Sequence, residues 1–224
     1  MNNQKELVDF IFKYCVNRID TFALQTDDGS YTRISRSLEE KDVIEHLEYS
    51  KTVAVYQLDK ENNIKNIVFD IDSYGAEKKA EIIYDFLAKH FSQSAAALEY
   101  TGGRGYHVWL FFENKVPASV GRFIAKKVLE KVQLDCEIFP KQDALSHSTP
   151  YGSAVRLPFG FHRKYRQPSR FIKPENVLEI KPFTVPKFLI NKITSETQNS
   201  LSASTVSANL CSSTLKLKKA AFLR

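Results

Sequence analysis

Two carboxylates stand two residues apart in an otherwise apolar run, residues 67–72 (IVFDID). If this run is a strand, its apolar side chains face the core, and Asp70 and Asp72 share the opposite face. The two acids would then lie roughly 6.5 Å apart along the strand, a spacing that suits a pair of divalent cations about 3.5–4 Å from each other. A strand that turns acidic as it enters a solvated loop would give the same pattern.

A second group of residues with chemical potential lies in residues 100–109 (YTGGRGYHVW). Three glycines within four residues allow the backbone to approach a ligand closely and to point amides at an anion. Arg104 adds a forked cation for phosphate oxygens, and His107 shares a strand face with Trp109. The segment is typical of a phosphate cradle, although a plain hairpin followed by a core histidine has the same composition.

A third acidic segment covers residues 135–143 (DCEIFPKQD). On a strand, Asp135 and Glu137 would share one face, so that either could supply a third metal-binding carboxylate. Lys141 follows closely enough to meet a phosphate. An exposed acidic strand face is the alternative, and periodicity does not choose between the two acids.

A fourth stretch, residues 144–174, contains no Asp or Glu and is rich in cations and aromatic rings. Cations for the backbone and aromatic rings for stacking are what binding of a single strand or of a primer-template needs. A solvated basic loop is the alternative. The side chains concerned are His147, Arg156, Phe159, Phe161, His162, Arg163, Lys164, Tyr165, Arg166, Arg170, Phe171 and Lys173.

Composition and charge are consistent with a folded protein that meets an anionic partner. The 224 residues are 43% hydrophobic, and 32 Lys and Arg outnumber 26 Asp and Glu, which gives a formal charge of +6. The three cysteines share no metal-ligand spacing, which argues for a reducing compartment and against a zinc module. Because no stretch approaches the roughly 18 apolar residues that span a bilayer, we expect a cytoplasmic protein with no membrane contact.

Periodicity predicts an α/β (α+β) fold in which strand pairs and helices alternate. A capping box at Ser37 and Glu40 opens the second helix, and residues 59–63 are predicted as the turn of a hairpin. Residues 185–224 are predicted as a polar linker or tail, with a short basic helix over 215–224. The predicted helices are 4–16, 37–48, 76–91 and 117–132, and the predicted strands are 21–25, 31–34, 52–58, 64–72, 95–101, 106–112, 134–139 and 154–157.

At these motifs the sequence resembles the archaeo-eukaryotic primase superfamily, in particular the bacterial primase-polymerases of TOTE conflict systems and CRISPR loci. The resemblance covers about residues 40–172. It rests on the acidic pair in FDID (69–72), the turn and histidine in TGGRGYHVW (101–109), the third acid in EIFPKQ (137–142) and the block VRLPFGFHR (155–163). Thr101 stands where similar sequences often have Ser, and the shared hydroxyl should tolerate this change.

The resemblance implies a primase-polymerase catalytic domain over residues 1–184, with an RRM-like sheet beside a smaller N-terminal α/β module. Asp70, Asp72 and Glu137 would hold two Mg²⁺ or Mn²⁺ ions as the catalytic centre. The side chains implied for nucleotide binding are Thr101, Gly103, Arg104, Gly105, His107, Lys141, Gln142 and Arg156. Those expected at a DNA or RNA template or primer are His162, Arg163, Lys164, Arg166 and Arg170.

The function expected from these residues is template-directed nucleotide transfer from nucleoside triphosphates. A metal-dependent nuclease that activates water with the same acids is one alternative, and a non-catalytic nucleic-acid-binding module is another. Relatives often continue into a priming module and a helicase, whereas this sequence ends in a polar tail, so we expect primer extension before de novo priming. A helicase and CRISPR or defence proteins are the expected protein partners.

Overall fold

The computed structural model describes residues 3–91 and 95–196. The chain divides into two compact units, residues 1–185 and 186–224. In the second unit the structure describes residues 186–196, of which 187–196 are helical. The short basic helix predicted over 215–224 lies outside the described residues.

The first unit alternates strands and helices along the chain. Its helices are α1 (Gln4–Phe10), continued by a π-helical turn (Ile11–Cys15), α2 (Glu40–Leu47), α3 (Ala76–His90) and α4 (Ala118–Val132), with a 3₁₀ turn at Val177–Glu179. Its strands are β1 (Phe22–Gln25), β2 (Tyr31–Ile34), β3 (Val53–Tyr56), β4 (Asn63–Ile71), β5 (Ala96–Tyr100), β6 (Tyr106–Pro117), β7 (Glu137–Phe139), β8 (Ala154–Arg156), β9 (Phe161–His162), β10 (Gln167–Pro168) and β11 (Arg170–Lys173).

The main sheet has the strand order β11-β5-β6-β4-β7, and its strand pairs are antiparallel. The order β4-α3-β5-β6-α4-β7 along the chain is the split βαβ arrangement of RRM-like domains, with β11 added at the β5 edge. Helices α3 and α4 pack against this sheet and against each other. Ile67 and Phe69 of β4 are fully buried, and the Ile67 side chain contacts α4 near Gly121. The predicted α/β (α+β) fold with an RRM-like sheet is therefore confirmed.

A second antiparallel sheet, with the order β2-β1-β3-β8, forms the smaller module near the N-terminus. Its apolar side chains share one hydrophobic core with α1 and with one face of the main sheet. Val68 and Trp109 lie on that face, directly opposite each other on β4 and β6. The same face is therefore apolar where the smaller sheet covers it, and it becomes polar two residues further along each strand, at Asp70 and His107.

The hairpin predicted from strands 52–58 and 64–72 is wrong. β3 pairs with β1 and β8, whereas β4 pairs with β6 and β7, so residues 59–63 lead from one sheet into the other. The Asp59 carboxylate stabilises this passage by accepting hydrogen bonds from the backbone N–H groups of Glu61 (3.1 Å) and Asn63 (2.7 Å). The local turn signal was correct, but it does not say which partner each strand takes.

Three smaller differences concern the ends of elements. Helix α2 begins at Glu40 after Glu39, whose backbone N–H donates to Asp42, so Ser37 is not its cap. The predicted first helix leaves α-helical geometry at Ile11 for a π-helical turn. Asp135 precedes β7, and the strand face predicted to join it to Glu137 does not form.

Within residues 3–91 and 95–196, helices are too short or too polar to cross a membrane.

Candidate active site

A row of four polar side chains crosses the main sheet from β7 to β5. Glu137 is paired with Asp70, Asp70 with His107, and His107 with Glu99, each directly opposite the next on neighbouring strands. Side chains that are directly opposite in a sheet point to the same face. The register of the sheet therefore places two acids predicted for metal binding beside the histidine predicted for phosphate binding.

Two cavities meet at the acidic pair. The first, of about 200 Å³, is lined by Asp70, Asp72 and a set of basic side chains: Arg104, His107 and Arg156. The second, of about 340 Å³, shares the same two acids and is also lined by Asp135, Cys136 and Glu137. Asp70 and Asp72 consequently line both a cavity that is rich in cations and one that is acidic.

Each predicted metal ligand has a basic side chain as its neighbour. Arg104 Nη2 lies 3.5 Å from Asp72 Oδ2, His107 Nε2 lies 3.7 Å from Asp70 Oδ1, and Lys141 Nζ lies 2.8 Å from Glu137 Oε2. The Arg104 and Lys141 pairs are largely exposed, so solvent screens them and they contribute little to stability. The Arg104–Asp72 and Lys141–Glu137 pairs can therefore change partners at low cost.

The glycine turn between β5 and β6 is held close to the acids. Thr101 Oγ1 donates to the Gly105 carbonyl oxygen at 2.8 Å, and the Arg156 guanidinium donates to the Thr101 carbonyl oxygen. Gly102 has a φ of +74° and packs against the Gln167 carbonyl, where a side chain would collide. Turn residues Thr101, Gly103, Arg104 and Gly105 all line the first cavity.

The buried acid Glu99 was not predicted from the sequence. Its side chain is fully buried, and its Oε2 atom accepts hydrogen bonds from His107 Nδ1 at 3.0 Å and from Trp109 Nε1 at 2.8 Å. Burial by itself raises the pKa of this carboxyl, but His107, Arg156 and Trp109 outweigh burial and hold the pKa below its ordinary value. The available signal was an acid inside an otherwise apolar strand (AALEY).

The basic stretch 144–174 divides into core and surface parts. Phe159 and Phe171 pack against each other and against Phe10 in the core, so they are not stacking surfaces. Phe171 lies on β11, which was not predicted because β9, β10 and β11 are short and partly polar. Part of the aromatic surface expected for a template is therefore structural.

The hairpin of β9 and β10 carries most of the remaining predicted nucleic-acid residues. Arg163 anchors it, since its Nε donates to Thr52 Oγ1 at 3.0 Å and its Nη2 to the Tyr49 carbonyl at 2.9 Å. Lys164 and Arg166 are exposed at its turn. His162 and Tyr165 face the first cavity, with ring centroids 4.8 Å apart.

Three further predicted residues occupy different surroundings. Arg170 is exposed on β11, with its guanidinium 5.2 Å from the ring of Tyr100. Gln142 Oε1 accepts a hydrogen bond from Ser153 Oγ at 3.2 Å, and its side chain packs on Gly152, so its amide oxygen is occupied within its own loop. Lys141 contacts the acidic residues at Glu137, with which it forms an ion pair.

Comparison with known proteins identifies the family. The sequence model described as "TOTE conflict system, Archaeo-Eukaryotic Primase domain" matches residues 15–201. None of the curated proteins matches this chain.

Two solved structures share the fold. One is primase RepB', at 12% identity and a TM-score of 0.54, covering 92% of this chain and 67% of that chain. The other is the archaeo-eukaryotic primase domain of the cyanophage S-2L primase-polymerase, at 10% identity and a TM-score of 0.50, covering 80% of this chain and 94% of that chain. At such low identity these likenesses show the fold alone. By the family match, which spans most of its length, the chain belongs to the archaeo-eukaryotic primase domain family of TOTE conflict systems.

Proposed function

We propose that this domain adds nucleotides to a nucleic-acid primer or initiating nucleotide opposite a template and releases pyrophosphate. The observation that carries the proposal is the alternation of acids and bases around Asp70 and Asp72, which line both a cation-rich cavity and an acidic one. Phosphoryl transfer depends mostly on positioning and on charge stabilisation, and such an arrangement supplies both.

The acids suit hard divalent cations. Carboxylate oxygens are the ligands that Mg²⁺ and Mn²⁺ prefer, and Asp70, Asp72 and Glu137 line one cavity. Within residues 3–91 and 95–196 no three His, Cys, Asp or Glu side chains converge into a finished metal site, and Asp72 and Glu137 are instead paired with Arg104 and Lys141. Two Mg²⁺ or Mn²⁺ ions held there would lower the pKa of an attacking hydroxyl and neutralise the leaving pyrophosphate.

The register of the sheet favours Glu137 over Asp135 as the third ligand. Glu137 is directly opposite Asp70 on β7, whereas Asp135 lies before the strand. Neighbouring positions on the same face keep two side chains about 5 Å apart at Cβ. This supports Glu137 as the acid that would join Asp70 in holding an ion.

The basic side chains of the first cavity are arranged for a triphosphate. Arg104 offers a planar fork that matches phosphate oxygens, and Arg156 adds a second guanidinium from the cavity wall. His107 Nε2 faces the acids, and Lys141 approaches from the Glu137 side. Gly103 and Gly105 line the same cavity, where their backbone can approach phosphate oxygens closely.

These cations distinguish nucleotide transfer from a nuclease reaction. A nuclease using the same acids needs one scissile phosphodiester and a water, whereas a triphosphate brings several negative charges. Arg104, Lys141 and Arg156 provide the larger number of cations that the triphosphate needs, and His107 adds a hydrogen-bonding ring nitrogen beside them. We therefore favour polymerisation, with the primer hydroxyl entering from the acidic cavity.

The exposed side chains near the β9-β10 hairpin fit a nucleic-acid strand. Lys164, Arg166 and Arg170 are exposed cations, and Tyr165 presents a ring at the cavity wall. Cations along a backbone path and a ring for base stacking are the usual elements of single-strand binding. We propose that the template passes over this hairpin; helicase or CRISPR partners stay a prediction from the sequence.

The deciding experiment is extension of a labelled primer on a DNA or RNA template with nucleoside triphosphates and Mn²⁺ or Mg²⁺. Asp70→Asn and Asp72→Asn remove charge at nearly constant shape, and Asp85→Asn, an exposed acid on α3, is the matched control. We expect extension by the wild type and by the control, and loss of extension in both site variants, because each removes a charge expected to hold the metals. Shortening of the primer would select the nuclease, and nucleic-acid binding without turnover would select the non-catalytic module.

A further inference from the structure

We propose that Glu99 is a positioning residue that holds the His107 ring with Nε2 directed at the nucleotide site. The proposal rests on the proposed function, because it assigns His107 a role at the bound triphosphate. It adds a residue that lies outside the acids, the glycine turn and the basic side chains described above. Glu99 acts through His107 and does not itself line either cavity at the acidic pair.

The burial of Glu99 demands an explanation. Transferring a carboxylate out of water costs several kcal/mol unless partners compensate it, and an apolar side chain would fill the same strand position without that cost. The side chain of Glu99 is fully buried, while within the described part of the chain its Oε1 atom lacks a hydrogen-bond partner. Stability alone therefore does not account for an acid at this position.

The contacts of Glu99 converge on one ring. Glu99 and His107 are directly opposite each other on β5 and β6, and Glu99 Oε2 takes the hydrogen bond of His107 Nδ1 at 3.0 Å. Trp109 Nε1 donates to the same oxygen at 2.8 Å, which fixes the carboxylate. The Trp109 ring also packs edge-on against His107, at a centroid distance of 6.0 Å and an interplanar angle of 74°.

This arrangement determines which edge of the imidazole meets the cavity. With Nδ1 bound to Glu99, Nε2 lies on the opposite edge of the ring, 3.7 Å from Asp70 Oδ1 and at the cavity wall. Without Glu99, rotation about the Cβ–Cγ bond would exchange the two edges. A carboxylate behind a functional histidine orients the ring in this way at metal centres, and losing it typically costs about 10–100-fold in affinity or activity.

A double-mutant cycle tests the proposal. Glu99→Leu is expected to weaken nucleotide binding about 10–100-fold, measured as the equilibrium Kd of a fluorescent nucleoside triphosphate with Mn²⁺ and no primer. In the His107→Ala background the same Glu99→Leu change should have almost no further effect, since effects of residues acting through one contact are not additive. Equal losses in both backgrounds would overturn the proposal and leave Glu99 with a purely structural role.

Two further variants keep the test decisive if Glu99→Leu does not fold. Glu99→Gln preserves the shape and the accepting oxygen, so its Kd for nucleotide should stay within about threefold of the wild-type value. That change is well below the roughly 10–100-fold expected when the residue that orients a histidine is lost. A weakening as large as that of His107→Ala would contradict orientation by the hydrogen bond. Trp109→Phe removes the other hydrogen bond to Glu99 and should cost less than His107→Ala. Greater weakening by Trp109→Phe would likewise overturn the proposal.

The binding cycle separates this inference from the proposed function. If the wild type binds nucleotide but does not extend primers, polymerisation fails while the cycle still decides the role of Glu99. If the wild type extends primers and the two losses are additive, polymerisation stands and the positioning role fails.

Discussion

Asp70 and His107 lie directly opposite each other on β4 and β6, with Oδ1 and Nε2 3.7 Å apart. Asp70 is the acid proposed for the metals and His107 the base proposed for the triphosphate, and the sheet register alone brings them together. Because register in a buried sheet is fixed by packing on both faces, the chemistry of this site depends on the core beneath it.

The backbone of the glycine turn is tested by two glycines with nearly the same φ. Gly102 (+74°) and Gly75 (+72°) both lie in the left-handed region, so alanine at either position should lose about 1–2 kcal/mol of unfolding free energy. A side chain at Gly102 would also collide with the Gln167 carbonyl, whereas at Gly75 the described residues leave open space.

We therefore expect Gly102→Ala to weaken nucleotide binding strongly, by up to about a hundredfold for a displacement near 1 Å, and Gly75→Ala to leave the Kd unchanged. Fluorescent-nucleotide titration and urea unfolding measure the two effects separately. Equal Kd values for the two variants would show that the turn does not position the ligand.

Lys141 and Lys127 offer a matched pair of exposed lysines. Each forms an ion pair with a glutamate, Lys141 with Glu137 at 2.8 Å and Lys127 with Glu130 at 2.6 Å. Replacing either lysine by methionine should change the unfolding free energy by less than about 1 kcal/mol, since exposed pairs are weak. Only Lys141→Met should raise the KM for the nucleotide, and the same increase in Lys127→Met would indicate a general loss of positive charge instead.

Among the basic residues of the β9-β10 hairpin, Arg163 should stabilise the fold, whereas Lys164 should bind the template. Arg163 donates to Thr52 and to the Tyr49 carbonyl, so Arg163→Ala should lower the melting temperature. Lys164→Ala should leave the melting temperature unchanged but weaken template binding. It should also reduce the slope of log K against log salt concentration by about one unit. Binding titrations at several salt concentrations check this, and a normal salt slope for Lys164→Ala would remove Lys164 from the template path.

Buried His46 should make stability depend on pH. Its Nδ1 accepts from the Val53 N–H at 3.0 Å and its Nε2 bonds to the Pro158 carbonyl at 3.1 Å. Burial lowers the pKa of His46 from 6.5 to about 4. The unfolded chain therefore binds more protons between these values, and the unfolding free energy should fall as pH falls from 6.5 to 4, by roughly 3 kcal/mol in all.

Urea unfolding at pH 7 and pH 5 measures this dependence. His46→Gln removes the titrating group and should flatten the profile. Burial also lowers the pKa of His162 to about 4, but its ring is only partly buried, so His162→Gln should keep most of the wild-type slope. A wild-type slope in His46→Gln would show that other groups carry the effect.

The sequence predicted the elements of the site better than their pairing. β4 and β6 were predicted because their apolar runs are long, and the acid pair and His107 stand at recognisable positions within them. The sequence did not show that β3 and β4 belong to different sheets, because strand pairing is set by contacts between residues far apart in the chain. A local turn at Asp59 is compatible with a hairpin and with a passage between sheets.

The remaining misses have similar physical causes. β10 contains Pro168, and β11 is interrupted by a bulge between Phe171 and Lys173, so neither has the alternation that identifies a strand. Glu99 escaped notice because an acid in a short strand normally indicates a solvent-facing position. Its burial becomes visible only when the smaller sheet and α1 cover that part of the main sheet.

The pairing of each acid with a base has a consequence for the order of events at this site. A divalent ion arriving alone would meet the positive neighbours of the carboxylates, and a triphosphate arriving alone would meet the negative neighbours of the bases. If both ligands bind as proposed, together they satisfy both sets, and each would increase the affinity for the other by the same factor. The proposed function therefore predicts that the metal–nucleotide complex is recognised as one substrate, in preference to stray ions and unchelated nucleotides.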